Sequence, residues 1–118
     1  MNLGVAGKKG EDMVAAFLRK NGHTIIKRNY VSRFGEIDII AGKDGLILFV
    51  EVKTRRENSF VSPKEAVDSH KIRRMMLTAE DYLSKTETTD GLQPRFDVAE
   101  VLVKEDNTYH LNYIKNAF

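Results

Sequence analysis

The sequence predicts an α/β fold, a β-sheet layered with helices, in the order helix, three strands, helix, two strands. Three observations lead there: two segments with helical apolar spacing, five short runs that alternate or are wholly apolar, and turn-forming residues between them. From about Lys8 to Asn21, Met13, Val14, Phe17 and Leu18 recur at helical spacing, and Gly22 stands where a left-handed cap ends a helix. Thr24 to Tyr30, Gly35 to Ala41 and Leu46 to Lys53 read as strands, separated by Ser32-Arg33 and by Gly42-Lys43-Asp44-Gly45. The second and third are expected to pair antiparallel. Pro63 suits the first turn of a second helix, whose apolar stripe is Ile72, Met76, Ala79 and Leu83 and whose other face carries Lys64, Lys71 and Arg74. A polar linker around Thr86 to Gly91 leads into strands Phe96 to Val103 and Thr108 to Ile114, parted by the turn-like Glu105-Asp106-Asn107.

A chain of 118 residues, 42% of them hydrophobic, supplies one core, so a single domain spanning 1–118 is expected. Nineteen basic against seventeen acidic residues leave a net charge of only +2, so any attraction to nucleic acid must come from how the charges are distributed. The absence of cysteine excludes disulfides, thiol nucleophiles and thiolate zinc sites, and leaves oxygen ligands as the main route to a metal. Met1 to Lys8 lacks the apolar core of a signal peptide, and the longest strongly apolar run, Leu46 to Val50, is far too short to cross a bilayer. A cytoplasmic protein without membrane contact is the expectation.

Leu46-Ile47-Leu48-Phe49-Val50 is apolar throughout, the pattern of a strand covered on both faces. It should lie at the sheet centre. The same strand runs on as Glu51-Val52-Lys53, and alternation puts Glu51 and Lys53 on one face. In the preceding strand Asp38 lies between Ile37 and Ile39, and Glu36 shares its face by the same alternation. Burying a lone carboxylate costs several kcal/mol, roughly, unless it is paired or binds a cation. Two paired strands would bring Asp38 toward Glu51, and two close carboxylates repel unless one is protonated or a cation lies between them. Lys53 neutralises part of that charge, and Mg2+ or Mn2+ would suit the remainder. A structural ion-pair cluster of Asp38, Glu51 and Lys53 is the alternative.

An acid on one strand, then Glu-x-Lys on the next, after a helix bearing Glu11, resembles the PD-(D/E)XK nuclease superfamily, although Ile37 stands where the motif has proline. Gly7-Lys8-Lys9-Gly10-Glu11, Gly35-Glu36-Ile37-Asp38-Ile39-Ile40, Phe49-Val50-Glu51-Val52-Lys53-Thr54-Arg55, Arg95-Phe96-Asp97-Val98 and Tyr113-Ile114-Lys115-Asn116-Ala117-Phe118 together resemble the YraN-like family of small bacterial proteins. The match runs nearly end to end. The resemblance implies a restriction-endonuclease-like fold, a mixed β-sheet flanked by helices similar to archaeal Holliday-junction resolvases, with metal-assisted cleavage of DNA, branched or junction DNA included. Glu11, Asp38 and Glu51 would surround the ion with Lys53 beside it, and a symmetric homodimer is implied by analogy.

In that reading a metal held by Asp38 and Glu51, with the Val52 carbonyl as a further ligand, polarises the phosphate while Lys53 stabilises developing charge or orients water. Glu11 would bind a second ion or hold a water, or else serve only as a favourable charge near the helix start. Glu36 reads as a solvated or supporting carboxylate. Lys8, Lys9, Arg28, Arg33, Arg55, Arg56, Lys64, Lys71, Arg73 and Arg74 are candidate phosphate contacts, or ordinary exposed charges. The spacing of Gly7 and Gly10 does not make a phosphate loop and points instead to close helix packing or substrate approach. His23, His70 and His110 have no ligand spacing, and Tyr109, Leu111 and Tyr113 form one face of the last strand, suited to a core or a dimer surface. A nucleic-acid-binding module with the nuclease fold and little chemistry is the main rival, and a protein-interaction subunit with a structural charge cluster a third reading.

Overall fold

The computed structural model describes residues 3–57, 68–86 and 91–118. Among them helix α1 (Leu3–Lys20) is followed by strands β1 (Thr24–Ser32), β2 (Gly35–Lys43) and β3 (Leu46–Arg56), helix α2 (Ser69–Lys85), and strands β4 (Gln93–Val103) and β5 (Tyr109–Ile114). The five strands form one sheet in sequence order, antiparallel except for the parallel pair β3 and β4. The expected mixed sheet, its element order and the antiparallel second and third strands are all present, with the apolar strand at the centre. No helix of the described residues is long and apolar enough to cross a membrane.

Each helix covers one face. Val14, Ala15 and Leu18 of α1 pack on Ile39, Ala41, Leu48, Val50, Ala99 and Val101, with Tyr109, Leu111 and Tyr113 partly buried at the margin. Ala79 and Tyr82 of α2 pack on Ile37, Ile40, Ile47 and Phe49 across the sheet. Leu46 to Val50 can therefore be apolar at every position, because both faces are dry. The turns follow local chemistry: Asp44 and Gly45 both take positive φ between β2 and β3, the backbone of a tight hairpin. Gly22, at φ +86°, ends α1, and the His23 amide returns to Leu18 O at 2.9 Å.

Two boundaries differ from expectation. Helix α1 starts at Leu3 rather than near Lys8, because Ala6 and Gly10 extend the buried stripe of Val14 and Leu18 with residues too small to register as apolar. Helix α2 starts at Ser69, where Asp68 is extended and its carboxylate accepts the Lys71 amide hydrogen bond at 2.8 Å, an N-cap that closes the helix there. Pro63 and Lys64 lie outside the described residues, as does most of the expected linker from Thr86 to Gly91. The face that the helix buries also differs from the expected one. Its buried residues are Met75, Thr78, Ala79 and Tyr82, whereas Met76 of the expected stripe is exposed and Ile72 and Leu83 are only partly covered.

Gly10 sets how closely α1 approaches the sheet. A Cβ there would lie 2.3 Å from Thr54 Oγ1, a buried hydroxyl without a hydrogen-bond partner among the described residues. Gly10→Ala should destabilise the fold by about 1–3 kcal/mol through overpacking, and adding Thr54→Ala should recover most of the loss. Urea unfolding of the single and double variants tests this, and equal stability of Gly10→Ala and the parent would refute it.

Candidate active site

The site forms where β2 and β3 part. Their ladder runs from Lys43 opposite Leu46 to Ile39 opposite Val50 and ends there. One step on, the amide of Val52 donates to Asp38 Oδ2 at 2.7 Å, so a side chain takes the place of the missing strand carbonyl. The strand turns over at this point. Ile37 and Ile39, two residues apart, pack in opposite layers, so the alternation that placed Glu36 and Asp38 on one face does not run through Asp38. In β1, Asn29 falls between the Arg28–Ile39 and Tyr30–Ile37 pairs and adopts φ +53°, an irregularity facing the same place.

Glu51 and Lys53 share the parity of Ile47 and Phe49 and so emerge on the α2 side of the sheet. Glu51 is 6% exposed. Its Oε1 lies 3.4 Å from Lys53 Nζ and 2.5 Å from Lys71 Nζ. Helical spacing explains the second contact: Lys71 stands one turn before Met75 and two before Ala79, on the line that α2 buries. The stripe of Ile72 and Met76 puts Lys71 on the outer face with Arg74, and the structure turns it inward instead. The spacing of Met75, Ala79 and Tyr82 is the sequence signal for the face that is buried.

Protonation follows this crowding. Burial first, then the charge of Glu51, raises the Asp38 carboxyl from 3.8 to about 7, against the opposing hydrogen bond from Val52. Burial and the neighbouring amine of Lys71 pull the Lys53 ammonium below its ordinary range. Burial also works against the charge on Lys71, but its hydrogen bonds to Glu51 and Lys53 outweigh that and hold its pKa up.

Glu11 is engaged elsewhere: its Oε1 accepts from Arg28 Nε at 2.8 Å and from Asn29 Nδ2 at 3.1 Å. It still adds to the negative potential at Asp38. Among the described residues, no three carboxylate or imidazole groups converge into a metal cage. Arg28 also pairs with Asp12 at 2.6 Å, and Arg55 pairs with Glu100 at 3.0 Å, so neither is an uncommitted phosphate ligand. Lys8, 3.9 Å from Asp12, and Lys9 are exposed on α1, Arg56 is exposed at the end of β3, and Arg73 and Arg74 are exposed on α2. Arg33 lies at the β1–β2 turn with its guanidinium 4.7 Å from the Phe34 ring centre.

The geometry thus defines a class: a mixed sheet whose central strands part around an acid pair flanked by two lysines. Residues 10–101 match the model of a family described as "Uncharacterised protein family UPF0102", and the chain belongs to that family, the YraN-like proteins. It is 42% identical to a UPF0102 protein of Persephonella marina over 97% of this chain and 93% of the relative. It is 40% identical to one of Chloroherpeton thalassium, covering 100% and 97%, and 44% identical to one of Syntrophomonas wolfei, covering 95% and 96%.

Proposed function

We propose that this chain is a divalent-metal-dependent DNA endonuclease of the restriction-endonuclease-like type, working through Asp38, Glu51 and Lys53. The observation that carries the reading is the meeting of two carboxylates at the parting of β2 and β3, where burial first and the charge of Glu51 second hold the Asp38 pKa up to about 7, with two ammonium groups on Glu51. The donor set suits Mg2+ or Mn2+: hard oxygens from two carboxylates. Bound there, the ion supplies charge neutralisation at the phosphate and a more acidic water.

The chain's own residues supply the rest. Val52 N–H fixes the Asp38 carboxylate in the plane of the sheet, and Glu51, held on a strand buried on both faces, has little freedom to swing. Lys53, on the same face as Glu51, directs its ammonium to the place where charge develops on the cleaved phosphate. Glu11 orders Arg28 and Asn29 behind Asp38, a supporting role rather than a ligand role. The substrate on this reading is DNA, with branched or junction forms included. A nucleic-acid-binding module without chemistry is the second reading, favoured by the 2.5 Å contact that lets Lys71 satisfy Glu51 without any ion.

Thermal unfolding with increasing Mn2+ or Mg2+ separates the two. The endonuclease reading expects a rise in Tm, about 2.7 kcal/mol of added stability at a hundredfold excess over Kd, that disappears in both Asp38→Ala and Glu51→Ala. An unmoved Tm, or a rise that survives both substitutions, would remove the metal site and leave the binding module.

A further inference from the structure

Glu51 carries one more cation than its Glu-x-Lys motif supplies. Lys53 belongs to the same strand, two residues on, but Lys71 comes from the first turn of α2 and reaches the same carboxylate oxygen from the helix packed on that face. We propose that Lys71 is a positioning residue for the cleavage reaction: as the counter-ion of Glu51 it keeps Lys53 from closing onto that carboxylate and leaves the Lys53 ammonium free to face the phosphate. The inference rests on the endonuclease reading of Asp38, Glu51 and Lys53.

The two contacts are unequal. Lys71 Nζ lies 2.5 Å from Glu51 Oε1, a close charge-assisted hydrogen bond, whereas Lys53 Nζ stands off at 3.4 Å, beyond the ordinary range of such a bond. Glu51 is buried, and in a poorly solvated site an unmatched carboxylate draws in any cation within reach. Lys53 is within reach, so without Lys71 it would take the short contact itself. With Lys71 in place the charge on Oε1 is already met, and the two ammonium groups repel each other, which holds the second one off. A carboxylate offers about four lone-pair sites on its two oxygens, so Glu51 can hold Lys71 and still serve an ion.

The backbone that carries Lys71 is held on several sides. Its amide donates to the Asp68 carboxylate at 2.8 Å, which fixes the start of α2. Met75 and Ala79, one and two turns on, are buried. Thr78 Oγ1 lies 3.0 Å from Ser32 Oγ, and a Cβ on Gly35 would be 3.6 Å from both Arg74 Cβ and Thr78 Oγ1, so the helix is seated against the β1–β2 hairpin. Lys53, by contrast, leaves β3 beyond the last residue that pairs with β2. A helix fixed in this way delivers its ammonium to Glu51 without reorganisation, which is what a supporting residue must do to order the groups that react.

The test is a double-mutant cycle on single-turnover cleavage of duplex and branched DNA with Mn2+, beside crystal structures of the metal-free variants. Lys71→Met should slow cleavage at saturating DNA about tenfold in the parent chain and less than about twofold in Lys53→Met, because a residue that acts through Lys53 has nothing to position once that amine is gone. Lys71→Arg, which keeps a cation on Glu51, should stay within about threefold of the parent. Lys71→Gln, which keeps a hydrogen bond to Glu51 without the charge, should repeat the Lys71→Met result and takes its place where methionine unfolds the chain. In the metal-free structure of Lys71→Met, the Lys53 ammonium should close from 3.4 Å to about 2.8 Å from Glu51 Oε1. Equal losses in the two backgrounds, or Lys53 at its present distance in the variant, would overturn the role of Lys71 and leave the endonuclease reading standing. A parent chain that cuts neither DNA would overturn that reading and the role of Lys71 with it.

Discussion

Replacing Lys53 with methionine is expected to slow single-turnover DNA cleavage by about two to three orders of magnitude, the loss of about 3–4 kcal/mol seen when a preorganised donor to a transition state is removed. Methionine keeps much of the aliphatic stem, so the packing of β3 should persist. Lys71 does not substitute for the lost charge in this account. It is the closer of the two amines to Glu51 Oε1, 2.5 Å against 3.4 Å, and is therefore the more firmly committed counter-ion. Lys53, with its pKa pulled down by burial and by Lys71, gives up or shares a proton more readily than a surface lysine. DNA affinity should change far less than rate, since one lysine among several phosphate contacts contributes little to binding. The measurement is single-turnover cleavage beside DNA affinity in one buffer. A variant that cuts as fast as its parent would make Lys53 a structural counter-ion.

In the absence of divalent metal, Asp38→Asn should stabilise the protein at pH 8–9 and hardly alter it at pH 4. The Asp38 pKa stands at about 7 in the folded chain against an ordinary 3.8, so between those values the folded state holds a proton that the unfolded state has released. Raising the pH through that window therefore lowers stability, and below about pH 4 the penalty vanishes because both states are protonated. A shift of that size corresponds to about 4 kcal/mol at most, and partial exposure to water reduces the expected gain in the variant to about 2 kcal/mol. Mg2+ or Mn2+ should restore the parent at pH 8 and leave the variant much less changed. Urea unfolding across pH 4–9, with and without metal, tests this directly. A variant less stable than its parent at pH 8 without metal would show that Asp38 contributes more through the Val52 hydrogen bond than it loses through crowding.

The strands and the acid–lysine pattern were legible because they depend on local rules. The wholly apolar Leu46 to Val50 announced a strand covered on both sides, and charges emerging at its end announced an anomaly. The role of Lys71 was not legible, because it depends on the rotation of α2 about its axis. Met75, Thr78, Ala79 and Tyr82 are the residues it buries, whereas Ile72 and Met76 suggest another face. Glu11 was assigned by resemblance to the ion, but its nearest partners come from β1, a pairing between distant segments that no local pattern reports.

The turnover of β2 at Asp38 makes this strand sensitive to length in a way that its composition conceals. Ile37 belongs to the layer under α2, Ile39 and Ala41 to the layer under α1, and Ile40 again to the first. Apolar exchanges at these positions keep each side chain in its own layer. Removing or adding one residue on either side of Asp38 would instead exchange the layers for every residue beyond it and carry the carboxylate away from Val52. Segment length, more than residue identity, is therefore what this strand must conserve through any history of change, and shuffled or recombined versions of the chain should survive only where that spacing is kept.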